Sequence, residues 1–475
     1  MAEVQISGDD ENVEVLFDED NNVMSPADLP MEDNIPFGEN LAEYIDEGTL
    51  GQIASELESS YQDDVSSRQD WYETFRDGLE LLGIENEPRS EPFEGASGVF
   101  HPLLAEAATH FQAQAYKELL PANGPVDTKV IGASNNPKAM QANRVKDFMN
   151  YQLMYKMEEY DPEMDQMLFF LPLAGSAFKK CYFDPAMGRV VSRFIKAEDL
   201  VVPYTATDLH TTPRITHVIK MTENDMRKLQ LSGFYRDLDM MNPGYAPDEN
   251  AVQEKIDEIE GVSRTGNSEQ YTLLECHVEL DIEGFEHTNA SGEPTGLALP
   301  YIVTICQDNN KVLAIRQNYI ENDPMRKKIE YFTHYKFLPG LGFYGFGLIH
   351  MIGGVTKSAT AILRQLIDAG TLSNLPAGFK SRGLNIQRAD DPVQPGEWRD
   401  VDAPGGSLRD SFLPLPYKEP SATLAQLMGV LVESGQRFAA VMDQQTGDGN
   451  SQAPVGTTVA LLEKGQKVIS SIHKR

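Results

Sequence analysis

The chain has 475 residues, of which 41% are apolar, and it sets 40 basic against 73 acidic residues for a formal net charge of -33. That apolar fraction can build a sizeable core in two or three domains and excludes a chain that is disordered throughout. The charge excludes a broad basic face for gripping nucleic-acid phosphates, and three dispersed cysteines exclude a disulfide framework and point to a reducing compartment.

The acidity is concentrated at the start. Residues 1–67 hold 19 Asp or Glu, and the first basic residue is Arg68. Residues 1–47 therefore read as a solvated, partly disordered arm, with docking on a basic partner as the functional alternative. No basic segment leads into an apolar run near Met1. The longest apolar run, Met167 to Ala174, is far shorter than a membrane span, so a cytosolic, non-membrane protein is expected.

From Thr49 to Gly83, apolar residues recur at Leu50, Ile53, Leu57, Tyr61, Val65, Phe75, Leu79 and Leu82, which predicts one long amphipathic helix. Pro102 to Leu120 and Pro137 to Met157 predict two more, each opened by a proline suited to a first helical turn. The period then changes. Ala177 to Phe183 and Arg189 to Ile195 are two β-rich runs around the turn Asp184 to Gly188, a hairpin. Further strands are predicted at 214–221, 271–282, 301–306 and 311–319, giving an α+β body. Cys276 and His277 are neighbours on one of these strands, so their side chains take opposite faces and cannot share a metal.

Gly340-x-Gly342-x-x-Gly345 has the spacing of a dinucleotide-binding turn, between a predicted strand at Tyr331 to Phe337 and a helix from Leu348. The acidic residue such a fold needs about 20 residues later would fall inside that helix, near Thr360 to Asp368. Phe343, Tyr344 and Phe346 also crowd the loop. The glycines therefore read as a tight strand-to-helix turn with aromatic sides, and a nucleotide-binding enzyme using Gly340, Gly342 and Gly345 is the weaker alternative. Gly353 to Ser358 lacks the glycine before its lysine that a phosphate-binding loop requires. With no readable constellation of His, Asp, Ser or Cys either, the expectation is no enzyme, no catalytic residue, no metal and no cofactor.

Leu348, Ile352, Val355, Ala359, Ile362, Leu366 and Ala369 form one stripe of a helix running to about Leu375, a rod of about 40 Å. Ser421 to Gln445 repeats the design with Leu424, Leu427, Leu431, Gly435, Phe438 and Met442. The proline-rich insert between them, Pro376 to Pro420, cannot be helical. A polar stretch, Thr446 to Ala453, follows, then a helical pattern from Pro454 with Val459, Leu462, Ile469 and Ile472. That pattern reaches Arg475 with no cap, so the native chain is expected to continue.

Two long helices around a compact tip, a polar loop, and an α+β body make up this order. Within it stand Phe178-Lys-Lys-Cys-Tyr-Phe-Asp-Pro185 with Ile195-Lys-Ala-Glu-Asp-Leu200, then Tyr335 to Gly347, then Pro454-Val-Gly-Thr-Thr-Val-Ala-Leu-Leu-Glu463. Together they resemble the portal proteins of tailed bacteriophages, most closely those of short-tailed phages, from about residue 48 onward. The resemblance implies an α+β subunit of a dodecameric ring around a channel for double-stranded DNA. It implies a wing at 48–345, stem helices at 346–375 and 421–445 forming a hairpin, a clip at 376–420, and a tunnel loop at 446–453. A helix at 454–475 would return toward the wing and a crown, the crown itself falling outside the 475 residues. It further implies that Gly447, Asp448, Gly449, Asn450, Ser451 and Gln452 project toward DNA.

Lys357 and Arg364, on a stripe with His350 and Asp368, could line the channel; an ordinary solvated face is the alternative. Trp398 and Arg399 would meet partners at the clip. The partners the resemblance implies are the terminase large subunit and a head-tail adaptor, with the major capsid and scaffolding proteins around the ring. The location implied is the portal vertex of the virion, and the host cytoplasm during assembly. Another ring-forming tail or baseplate protein is the remaining alternative.

Overall fold

A computed structural model describes residues 35–84, 88–132, 136–185, 187–238, 251–261, 270–288, 293–321, 323, 325–374, 378–380, 385–386, 401–402, 412–414 and 417–440. These fall into two compact units. The first takes in residues up to Leu79 and Ala108–His350, the second Glu80–Ala107 and Met351 onward.

In the first unit, Asn40 caps a 3-10 turn at Leu41–Glu43, its side chain accepting from Ala42 N–H. The same side chain bonds Leu313 O at 3.0 Å and Ile315 N at 3.0 Å, and Leu41 and Ala42 are fully buried. Residues 35–47 of the acidic arm are thus folded onto the body, while residues 1–34 lie outside the described residues.

The expected single helix over 49–83 is two: α1 (Glu47–Ser67), capped by Asp46 accepting from Thr49 N–H at 2.8 Å, and α2 (Gln69–Leu79). A further 3-10 turn, Glu80–Leu82, belongs to the second unit. The break falls at Arg68, whose buried guanidinium donates to Ala197 O at 2.8 Å, Leu200 O at 3.0 Å, the Tyr344 hydroxyl at 2.9 Å and Glu198 O. Those bonds collect carbonyls from a distant loop, which no local spacing of apolar residues announces.

Helices α3 (Leu103–Leu119) and α4 (Asn136–Tyr151), the latter extended by a π turn at Gln152–Lys156, match the two proline-led patterns. Helix α5 (Tyr160–Ala174) holds the apolar run noted above and buries Met164, Met167, Leu168 and Leu171; it ends at Gly175, with φ of 84°. The hairpin is β1 (Ser176–Asp184) with β2 (Arg189–Ile195), antiparallel and in register from Phe178 opposite Ile195 to Asp184 opposite Arg189.

β3 (Leu200–Val201), β4 (Arg214–Thr222), α6 (Glu223–Leu231), α7 (Ala251–Glu260), β5 (Gln270–Leu280), β6 (Leu299–Cys306), β7 (Lys311–Gln317) and β8 (Phe332–Lys336) follow. The sheets are a three-stranded β2-β1-β8 and a five-stranded β3-β4-β5-β6-β7, with antiparallel neighbours throughout. On β5, Leu274 and Cys276 join Leu50, Ala54 and Leu57 of α1 in one core. Leu273, on the other face, joins Met226 of α6 in a second. The fold is mixed α+β.

In the second unit α8 (Leu348–Asn374) is the long helix expected, its first residues belonging to the first unit. Short strands follow: β9 (Gly378–Lys380), β10 (Asn385–Ile386), β11 (Val401–Asp402) and β12 (Phe412–Pro414), paired β9 with β12 and β10 with β11. Helix α9 (Ala422–Ala440) closes the described chain.

Candidate functional site

The turn from β8 into α8 is built on glycine for one physical reason, the approach of backbone to backbone. A Cβ on Gly345 would lie 2.3 Å from Gly175 O and 2.7 Å from Leu338 O, and one on Gly347 would lie 2.2 Å from Leu173 O. At Gly340 it would meet Tyr344 O at 2.2 Å. Gly345 N–H donates to Ser176 Oγ at 2.8 Å, and Phe337 N–H to Gly175 O at 3.0 Å. The crossing of the α5 terminus and the turn is therefore sewn from both sides.

Gly342, by contrast, faces open space, and its neighbour Leu341 is 99% exposed. The aromatics form the walls: Tyr344 stacks on Trp71 at 4.8 Å and its hydroxyl donates to Leu200 O at 3.2 Å, while Phe343 lies against His334 at 4.7 Å. Packing accounts for Gly340 and Gly345 without a phosphate.

Within the second unit, α8 presents three polar side chains one turn apart to a single extended segment. Thr360 Oγ1 accepts from His101 N–H at 3.0 Å, Arg364 donates to Val99 O at 2.9 Å and Gly98 O at 3.3 Å, and Asp368 accepts from Ser97 N–H at 2.7 Å. The Arg364 guanidinium also covers the Phe100 ring at 4.4 Å. Spacing of four places these residues on one helix face. Residues 97–101 have no strand partner among the described residues, and this ladder satisfies their backbone instead.

The expected stripe of His350, Lys357, Arg364 and Asp368 is therefore not uniform. Asp368 is buried, Arg364 is half-buried against the 97–100 backbone, and Lys357 is exposed. His350, in the first unit, accepts from Gly347 N–H at 3.2 Å through Nδ1, and burial pushes its pKa down.

The apolar stripe behaves as expected at Leu348, Ile352, Ala359 and Ile362, all buried. On α9, a Cβ at Gly435 would lie 2.5 Å from Leu103 Cδ2 and 3.4 Å from Val355 Cγ1, so glycine lets this helix approach α3 and α8 closely without moving the Leu103 side chain. Leu427 and Val430 of α9 are exposed, at 47% and 62%. Gly447, Asp448, Gly449, Asn450, Ser451, Gln452, Trp398 and Arg399 lie outside the described residues.

Sequence reading missed one charged centre entirely. The Glu275 carboxylate lies 2.5 and 2.7 Å from Lys180 Nζ, 2.8 Å from His277 Nε2 and 4.0 Å from His217 Nδ1. Burial alone would push Glu275 up, but Lys180 and His277 override it and hold the carboxyl well below the usual range. Burial also pushes His217 down to about 3 and lowers His277.

This centre ties β1 of the three-stranded sheet to β5 of the five-stranded sheet. The only sequence signal was the alternation that sets Glu275 and His277 on one strand face. Among the described residues no group of three or more His, Cys, Asp or Glu is placed to hold a metal, and no helix is long and apolar enough to cross a membrane.

No curated protein matches the chain. Among family models, that of the phage SU10 portal protein matches residues 184–447, from the end of β1 through the α8 and α9 helices and everything between them. This is more than half of the chain, and it takes in the glycine turn, the five-stranded sheet and both long helices. The chain belongs to the phage SU10 portal protein family and is a phage portal protein of the short-tailed type.

Proposed function

We propose that the chain assembles into the ring at the portal vertex of the capsid, through which double-stranded DNA is packaged and later ejected. The observation that carries this reading is the family match across α8, the segment 375–421 and α9 as one continuous block. In this reading 48–345 is the wing, 346–375 and 421–445 are the stem, 376–420 is the clip and 446–453 is the tunnel loop.

The physical logic is that of a conduit. Leu427 and Val430 are apolar side chains that one subunit leaves in water. Burial against a neighbour would contribute on the order of 1.5 to 3 kcal/mol for each such side chain. The net charge of -33 carried by the whole chain repels phosphates and keeps the duplex mobile. Lys357 then supplies a sparse, weak contact to DNA, Arg364 holds the 97–100 segment beside it, and Gly447 to Gln452 form the loop nearest the duplex.

The family is structural, and the chain supplies no chemical step in this account. The work of packaging belongs to a separate terminase ATPase, docked at the clip through Trp398 and Arg399, with a head-tail adaptor taking that surface afterwards. Major capsid and scaffolding proteins surround the ring. In assembly reactions with the phage's terminase, packaging of duplex DNA is expected only when this protein is present. Packaging at full yield in its absence would overturn the assignment.

A further inference from the structure

Helix α4 has no buried residue. One of its faces is held by the strand-like segment before it: Asn150 bonds Val126 through both N–H and C=O at 2.9 and 3.0 Å, Thr128 donates to Ala142 O at 3.0 Å, and Lys146 pairs with Asp127 at 2.8 Å. Ala142, Lys146 and Asn150 are four apart and define that face.

At 100° per residue, Met140, Arg144, Phe148 and Tyr151 fall together on the opposite side. Met140 is 64% exposed, Phe148 62%, Tyr151 47%, and Tyr155 of the following π turn 75%. Tyr151 and Tyr155 stack at 6.0 Å, and Lys156 covers the Tyr151 ring at 5.8 Å. Single exposed apolar residues need no explanation, but an apolar stripe along a whole helix face marks an interaction site.

The charge of this region is the reverse of the chain's. Between residues 127 and 156 stand Lys129, Lys138, Arg144, Lys146 and Lys156 against Asp127, which pairs with Lys146, and Asp147, a net positive charge in a chain of net charge -33. An occupant must therefore be acidic and carry apolar side chains of its own. Residues 1–34 have that chemistry: eleven Asp or Glu and no Lys or Arg, with Val13, Val15, Leu16 and Phe17 set between Glu11, Glu14, Asp18 and Glu19. They leave the described body at Ile35, which is packed on the core, and 34 residues extended could span about 110 Å. Duplex DNA would satisfy the cations but leave Met140 and Phe148 facing water, so it fits the face less well.

We infer that the acidic arm, residues 1–34, docks on the Met140, Arg144, Phe148 and Tyr151 face of α4. Electrostatic attraction brings the arm to the basic helix, and Leu16 and Phe17 with their neighbours cover the apolar stripe. The proposal stands whether or not the chain closes into a ring, because an arm can reach its own α4 or a neighbour's.

The test uses the full chain with the photo-crosslinker benzoylphenylalanine in place of Phe148, an exposed position where the change leaves the fold intact. After illumination, the cross-linked peptides are expected to map to residues 1–34. Arg144→Glu is expected to lower the yield about fivefold, and salt near 1 M, where screening acts within about 3 Å, to lower it similarly. Cross-links to any other segment of either copy, to nucleic acid, or to nothing would overturn the proposal. So would a yield indifferent to both Arg144→Glu and salt.

Discussion

Lys180 reaches Glu275 with both carboxylate oxygens in range, in a setting where each side chain is about one-eighth exposed. Removing one member of a buried pair leaves the other uncompensated, at a cost of about 3–5 kcal/mol. Lys180→Met is therefore expected to lower the unfolding free energy from urea titration by that much, and with it the midpoint, and Lys180→Met with Glu275→Leu to recover most of it. An unchanged midpoint in the single variant would show that the pair is solvated.

His217 gives the same region a pH dependence whose sign is fixed. Burial holds the ring at about 3 against an ordinary 6.5, so the unfolded chain takes up the proton first. Stability is then greatest above the ordinary value and falls as the pH drops from there toward the folded value. Between about pH 6 and 5, His217→Leu is expected to flatten the dependence of unfolding free energy on pH by about 1.4 kcal/mol per pH unit, one proton's worth. Denaturant titrations at the two pH values check this. An unaltered slope would mean that His217 is protonated in the folded protein.

At the scale of elements, the glycine turn makes a contrast within one motif. Gly345→Ala forces a Cβ into two carbonyl oxygens and is expected to cost 3 kcal/mol or more, roughly the upper end for overpacking. Gly342→Ala enters open space and is expected to change stability by no more than about 0.5 kcal/mol. Equal tolerance of both substitutions would mean that the backbone does not close on Gly345. The α8 ladder makes a second contrast: Asp368→Ala is expected to cost about 1–3 kcal/mol by orphaning Ser97 N–H, whereas Lys357→Glu is expected to leave stability unchanged. Equal effects from both would mean that Asp368 holds nothing.

Periodicity made the hairpin at β1 and β2 legible, along with the strands of the larger sheet and the two long helices, because these elements declare one face to the core. The break at Arg68 was not legible, since its cause lies in Ala197, Glu198, Leu200 and Tyr344, far along the chain. Helix α5 was seen only as an apolar run: it is buried nearly all round over its last two turns and loses the stripe that marks an amphipathic helix. The stripe on α8 was legible as a face but not in its use. Arg364 meets a backbone some 265 residues away, and no sequence spacing encodes that pairing.

For the whole molecule, the family match shows a phage portal protein, and the charge of -33 is in keeping with the proposal that it passes DNA without holding it. Lys357→Glu should then slow or stall DNA movement in a packaging assay while leaving assembly intact, and full-rate packaging would remove Lys357 from the channel. Assembly itself is the more direct question. The mass of the purified protein by light scattering, with end-on views by negative-stain imaging, should give a closed ring of about a dozen subunits. The central hole should be wide enough for a duplex, roughly 20 Å or more. A monodisperse monomer or dimer, unchanged when the scaffolding protein is added, would contradict the portal account.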